Sequence, residues 1–429
     1  MKGKNNNLLY DINETPPKGK WLILSLQHVF AMFGATILVP ILVNNLAGGE
    51  VLTIPVALFT SGIGTLIYIL CTKGKSPVYL GSSFAFITPM VVAYAKCGQA
   101  GVLTGIIVVG LIYAIVAIII KFVGKKWLDK ALPPVVIGPM IMIIGLGLAP
   151  TAISQIGLDG TTAIEWQKIV VVLVTFLTTI LVALKGKKFI KVIPFLVGIG
   201  AGYITAICFG MVDFTPVKEA AFFSFPKFVI PFLNYTPNFK AILTIAPVAL
   251  VTMAEHIGDH TVLGAIINKD LLKDPGLNRT LLGDGIATAV AGMLGGPANT
   301  TYGENTSVVG MTKVASIKVL KLAAVIAILI AFLGKLTAIF STIPNEVLGG
   351  VSLILYGFIA VNGLKVLVDK KIDFSITKNV IVASTMLVIG LGGAIVSIKS
   401  GDFSLSISGM SLAAMVGIVL NLFLPNEKH

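Results

Sequence analysis

Gly296-Pro297-Ala298-Asn299-Thr300-Thr301-Tyr302-Gly303-Glu304-Asn305-Thr306-Ser307 is a polar stretch set inside an otherwise apolar chain. Lipid offers no hydrogen bonds to a broken backbone. Such a stretch persists at membrane depth only when it is buried in protein or lines a cavity. A carboxylate there costs about 2.5–3.5 kcal/mol on insertion scales, which marks Glu304 as a functional-site candidate. A second polar cluster, Glu255-His256-Ile257-Gly258-Asp259-His260, interrupts the apolar run at 239–266. Two charged or broken elements facing one cavity are the pattern of a transporter.

Working outward, the chain has 429 residues, 56% hydrophobic and 12% charged, with a mean hydropathy of +0.96. That charge is about half of an ordinary soluble domain's. The chain reads as a polytopic membrane protein. Segments near 21–44, 51–72, 77–96, 100–122, 133–154, 166–184, 190–211, 239–266, 278–295, 298–313, 317–340, 344–364, 376–397 and 405–425 give fourteen spans. The third and tenth are short and polar. With both termini in the cytoplasm, 25 of the 32 basic residues fall inside, as the positive-inside rule asks. Dropping segments three and ten would scramble that pattern between them. The net charge of +13 is thus a topology signal, and no nucleic-acid partner is expected. Cys71, Cys97 and Cys208 show neither a disulfide framework nor metal-ligand spacing. No short apolar core with a cleavage site follows the polar N-terminus, so no removable signal peptide is expected. The Phe- and Pro-rich connection 212–238 reads either as an interfacial segment on the bilayer or as a packed loop.

The sequence repeats itself. Gly81-Ser82-Ser83-Phe84-Ala85 matches Asn299-Thr300-Thr301-Tyr302-Gly303 in chemical type, and Pro133–Gly138 similarly matches Pro344–Gly349. Each pair lies seven segments apart. An odd offset inverts one half relative to the other, which places a binding site at the midplane between the interrupted segments.

Glu255 and Asp259 are four residues apart and share a helix face. Two close carboxylates in a low dielectric resist double ionisation, which suits a proton-coupled carrier; alternatively, Asp259 is a solvated helix-end residue. His256 and His260 imitate an inverted zinc-protease spacing, but the acid is Asp and a third ligand is missing. Proton relay or helix-packing hydrogen bonds suit them better. Gln27-His28 lie early in segment one, where His28 could bond a carboxylate across the core or simply a neighbouring helix. Phe84 offers a stacking face for a flat ring or ordinary packing. Asp284 could line the cavity, hold a cation or bond a neighbouring helix.

These motifs resemble the nucleobase–ascorbate transporter family and, within it, the bacterial uracil permeases. The likeness is carried by Ser25–His28, Phe33–Thr36, Tyr79–Phe86, Ala254–Gly258, Lys269–Leu277 and Asn299–Asn305, and it spans about residues 20–425. It implies an all-α polytopic fold of fourteen segments in a 7+7 inverted repeat, with segments three and ten each a short strand and half-helix. After a cytoplasmic tail (1–20), a core domain (21–132 and 239–343) would move against a gate domain (133–238 and 344–429). Glu255 and Glu304 match the substrate-binding carboxylates, Phe84, Tyr302 and Gly303 match positions lining the base, and Ala35 matches a contact from segment one. His28 matches a histidine of the core polar network. The implied activity is uracil import by proton symport across a bacterial cytoplasmic membrane, by a homodimer joined through the gate, with no cofactor. Glu255, Asp259, His28 and His256 are the proton-coupling candidates. Three departures stand out: Asp259 where the proton-coupled relatives carry His, Ser307 in place of Gly, and Asp284 in place of a neutral polar residue. The first and third leave sodium as an alternative coupling ion. Xanthine or urate is the alternative cargo, although Glu304 favours uracil over the Gln typical of the purine branch. An anion transporter of the related fold would want a basic or neutral site; a channel would want a ring of charges; a membrane metalloenzyme would want a third ligand.

Overall fold

The computed structural model describes residues 8–161, 165–187, 190–400 and 403–425. Of the basic residues used for topology, Lys2, Lys4, Lys188 and Lys428 lie outside these ranges.

The chain opens with α1 (Lys18–Ala47), closed by Gly48 in the left-handed conformation. α2 (Ile54–Cys71) starts at Thr53, whose hydroxyl accepts the Val56 N–H, with Pro55 in the first turn, a strong start signal. The first interruption follows: strand β1 (Leu80–Ser82), a single 3-10 turn at Phe84–Phe86, then α3 (Ile87–Val123). α3 is broken at Gly98, whose φ of 63° and ψ of −170° are open to glycine and costly for other residues. Segments three and four are therefore joined by a break at one glycine. After the short α4 (Lys126–Ala131) come α5 (Pro134–Gly147) and α6 (Ala149–Gln155), then α7 (Trp166–Lys185) and α8 (Pro194–Cys208). The connection 212–238 holds only the short α9 (Thr215–Glu219). Its Phe222, Phe223, Phe225 and Phe232 are exposed, while its backbone bonds to Leu294 and Phe332.

In the second half, α10 (Ile242–Ile245) and α11 (Val248–Ile267) are bent by 44° at Ala246-Pro247. α12 (Leu277–Met293) leads to the second interruption, β2 (Asn299–Thr301) and α13 (Gly303–Thr312). α14 (Ile317–Ile330), α15 (Gly334–Ser341), α16 (Asn345–Asp369) and α17 (Thr377–Leu391) follow, and α18 (Gly409–Phe423) ends the chain. Among the described residues six helices are long and apolar enough to cross a membrane, or seven with the bent pair counted as one.

One expectation needs correcting. The apolar windows 376–397 and 405–425 predict helix through 392–397 and 405–408. Instead β3 (Ile395–Ser400) pairs antiparallel with β4 (Phe403–Ser408). The alternation Phe403-Ser404-Leu405-Ser406-Ile407-Ser408 has the period of a strand, which a count of apolar windows passes over.

Packing relies on small residues, as expected where lipid supplies no hydrophobic drive between helices. A Cβ on Gly285 would lie 2.8 Å from the Gly110 carbonyl of α3, and one on Gly363 would lie 2.5 Å from that of Gly138 on α5. Both helix pairs approach backbone to backbone. At one end of the molecule an N-terminal strap is tied down. Leu9 N–H donates to Lys313 O at 2.7 Å, Ala315 N–H to Tyr10 O at 2.9 Å and Ile317 N–H to Ile12 O at 3.0 Å, while Lys269 Nζ meets Asp11 Oδ1 at 2.8 Å.

Candidate functional site

The two interruptions meet. β1 and β2 pair antiparallel with Leu80 opposite Thr301, Gly81 opposite Thr300 and Ser82 opposite Asn299. This satisfies the backbone at membrane depth. α2 holds β1, with Ser61 Oγ donating to Leu80 O at 2.6 Å and Leu80 N–H to Thr65 Oγ1 at 2.9 Å. Asn299 ties β2 to α2 by donating to Thr60 O at 3.1 Å. Each strand runs into a helix start, at Phe84 and at Gly303. The two helix starts follow opposite ends of the strand pair, and both turn their positive ends to it.

Around this pair stand the expected residues. Glu304 is in the first turn of α13, and its side chain makes no hydrogen bond to another residue among the described residues. Thr300 Oγ1 donates to Glu255 Oε2 at 3.3 Å, and the Thr301 hydroxyl donates to Asp259 Oδ2. Asp259 is thus part-buried at the strands rather than a freely solvated helix end. Phe84 meets Tyr356 of α16 edge to face, with ring centroids 6.1 Å apart. Ala35 is buried on α1. The Tyr302 hydroxyl accepts from Thr36 at 3.1 Å and donates to Ser82 O at 3.0 Å. The Tyr302 ring lies where a Cβ on Gly81 would sit, 2.3 Å away, so Gly81 is needed for that ring to brace the strands. A Cβ on Gly303 would meet only Asn362, at 3.9 Å, which leaves its backbone approachable. Ser307 is exposed.

α11 has a second polar face. His256 Nδ1 lies 2.9 Å from Asp284 Oδ2 on α12, both fully buried. Asp284 therefore bonds the neighbouring helix. His260 stacks on His256, with centroids 4.1 Å apart, and donates Nδ1–H to the His256 carbonyl at 2.7 Å. In a neutral ring Nε2 is then left as an acceptor, and the Tyr68 hydroxyl of α2 sits 2.5 Å from it and 2.9 Å from Ser76. This network clamps α11 to α12 and α2 and fixes its rotation, so Glu255 and Asp259 face the strands. His28 meets the Asn305 amide, 3.1 Å from Nδ1, a bond between helices and not one to a carboxylate. Sequence reasoning missed Asn305, Tyr68, Ser76 and Tyr356 as partners. Only Asn305, inside the decisive stretch, carried any signal.

Residues 19–399 match the family model Xan_ur_permease, described as "Permease family". The chain belongs to this family. The "Uracil permease" of Bacillus caldolyticus is 47% identical over 426 residues, covering 98% of this chain and 96% of the relative. That of Bacillus subtilis (strain 168) is 46% identical over 435 residues, covering 100% and 98%. Among solved structures, the transmembrane domain of the cyanobacterial bicarbonate transporter BicA superposes with a TM-score of 0.63 at 15% identity, covering 96% of this chain and 99% of that one. That likeness is one of fold. The family drawn from the motifs therefore stands: this is a multi-pass membrane permease, a transporter and not an enzyme.

Proposed function

We propose that this permease imports uracil across a bacterial cytoplasmic membrane. The observation that carries the reading is the uncommitted Glu304 carboxylate at the start of α13, directly after the strand whose Thr300 bonds Glu255, in a chain whose full-length relatives are named uracil permeases. Uracil is flat and neutral, with alternating N–H and carbonyl groups. Glu304 and Glu255 accept from ring N–H groups, the free backbone at Gly303 and the α13 start donates to a ring carbonyl, and Phe84 covers the ring. Hydrogen bonds left unmade in a dry site cost about 1–3 kcal/mol each, which sets the choice among bases.

The transport cycle in this reading is alternating access, with fourteen segments in a 7+7 inverted repeat, both termini cytoplasmic, a core domain carrying the strand pair moving against a gate domain containing α5–α8 and α16–α18, and dimerisation through the gate. The antiparallel β1–β2 pair supports the repeat, and the glycine contacts of α5 with α16 support a compact gate. The coupling ion is the proton, carried by Glu255 and Asp259 with His256 and His28 in support. The hydrogen bond between Asp284 and His256 weighs against Asp284 as a sodium ligand.

Labelled uracil uptake into proteoliposomes tests this. Uracil and 5-fluorouracil should compete, since both keep the same ring edge. Cytosine should not, because an amino donor replaces an acceptor. Uptake should follow a proton gradient, collapse with a protonophore and need no sodium. Equal competition by cytosine or xanthine would overturn the cargo, and sodium-dependent, protonophore-resistant uptake would overturn the ion.

A further inference from the structure

A cavity of about 280 Å³ lies well away from the strand pair, between the C-terminal end of α1 and the ends of α6, α7 and α16. It shares no residue with the central site. Its position relative to that site follows from two helices. On α1, Ala35, Leu42 and Leu46 are spaced by seven and four residues and share one face. Leu42, Asn45 and Leu46 line the cavity, and the ten residues from Ala35 to Asn45 rise about 15 Å. On α16, Tyr356 stands at Phe84, while Asn345 and Glu346 line the cavity; eleven residues rise about 16 Å. Along both helices the cavity lies about 15 Å from the residues of the central site.

The lining has the chemistry of a base edge. Three amides, Asn45, Gln155 and Asn345, each carry donors and an acceptor. The Gln155 Oε1 is enclosed without a partner. Asn45 Nδ2 donates to Asn345 Oδ1 at 2.9 Å, a bond across the cleft that a ligand edge can replace. No side chain caps α16, so its first N–H groups remain available to a carbonyl. Leu42 and Leu46 give an apolar wall. Lys168 lies 3.0 Å from Glu165 and 4.0 Å from Glu346, and two carboxylates against one ammonium leave the cavity net negative. That charge accepts a neutral base and repels anionic ones.

We propose that this cavity is a second binding site for the same neutral, planar base, occupied at the outer mouth before transfer to the Glu255–Glu304 site. The inference rests on the uptake reading for its cargo and its sidedness. Two measurements decide it. First, in purified protein carrying Glu304→Gln, a weaker saturable uracil site should remain, and adding Gln155→Leu should weaken it at least tenfold. In the otherwise native chain Gln155→Leu should raise the KM for uptake about tenfold with the maximal rate kept, and its tight Glu304-dependent binding serves as the check on folding. Second, in a chain with Cys71, Cys97 and Cys208 replaced by Ala, alkylation of Asn45→Cys should be slowed at least threefold by millimolar uracil even with Glu304→Gln present. Uracil-6-carboxylate should not protect. No residual binding in Glu304→Gln, an unchanged KM in Gln155→Leu, an unprotected Asn45→Cys or equal protection by the anion would each overturn the outer site. If the native chain itself neither binds nor transports uracil, the central reading has failed instead, and the two failures are read from different proteins.

Discussion

At the scale of single residues, Glu304 and Glu255 were legible because charge in an apolar run is conspicuous through its cost. Glu304→Ala should lower uracil affinity at least tenfold, about 1.4 kcal/mol, while the protein still inserts and melts as the parent does. Affinity kept within threefold in equilibrium binding would remove Glu304 from the site. Asp259→Asn should keep measurable binding but flatten the pH dependence of uptake, since one member of an interacting pair no longer titrates; a profile identical to the parent's sinks its coupling role. Gly81 makes a different kind of claim. A Cβ there meets the Tyr302 ring at 2.3 Å, and overpacking of this kind costs about 1–3 kcal/mol. Gly81→Ala should lower the melting temperature and weaken uracil binding together, and a variant with parental melting and binding would show that the ring is not fixed there. Tyr68, Ser76 and Asn305 were not legible as partners. Hydroxyls and amides in membrane helices commonly bond their own helix backbone, as Thr72 does to Tyr68 O, so their presence alone names no partner.

At the scale of elements, the broken segments and most helices could be read from apolar length and polarity, whereas the β3–β4 hairpin is legible only in the two-residue alternation of Phe403–Ser408, which apolar length overlooks. The strap of residues 8–15 also escaped sequence reading, because it is held by main-chain bonds to 313–317 that any sequence could make. Its one charged tie is testable. Burial raises the Asp11 carboxyl, but the Lys269 ammonium and the Ile12 N–H outweigh burial and hold it below the ordinary carboxylate range. A lowered folded-state value means the tie contributes fully above the ordinary value of about 3.9 and is lost as pH falls through the lowered one. The pair is more than a third exposed, so its contribution is at most about 1 kcal/mol. Hydrogen exchange at the Leu9 and Ala315 amides should therefore quicken by up to about fivefold in Asp11→Asn at pH 7, and the difference from the parent should shrink towards pH 3. Unchanged exchange at pH 7 would show that Lys269 adds nothing to the strap.

At the scale of the whole molecule, the proposed topology puts Glu50 and Lys73 on opposite faces. Cysteines introduced at the two positions should be labelled by a membrane-impermeant reagent from opposite sides of oriented vesicles, and labelling of both from one side would break the fourteen-segment reading. The sequence by itself determined that this chain lives in a membrane, where its polar interruptions fall and which acids are too costly to be incidental. Those are one-dimensional facts: hydrophobic length, the expense of a buried charge and the asymmetry of lysines each act along the chain. Only the tertiary structure decided which polar groups meet. Glu255 and His256 are adjacent in sequence, yet one turns to the threonines of β2 and the other to Asp284, because successive helix positions point about 100° apart. Likewise Asn45 and Asn345, 300 residues apart, meet across one cavity. Hydrogen bonds act over about 3 Å, and no pattern along the chain fixes separations that small between helices that only folding brings together.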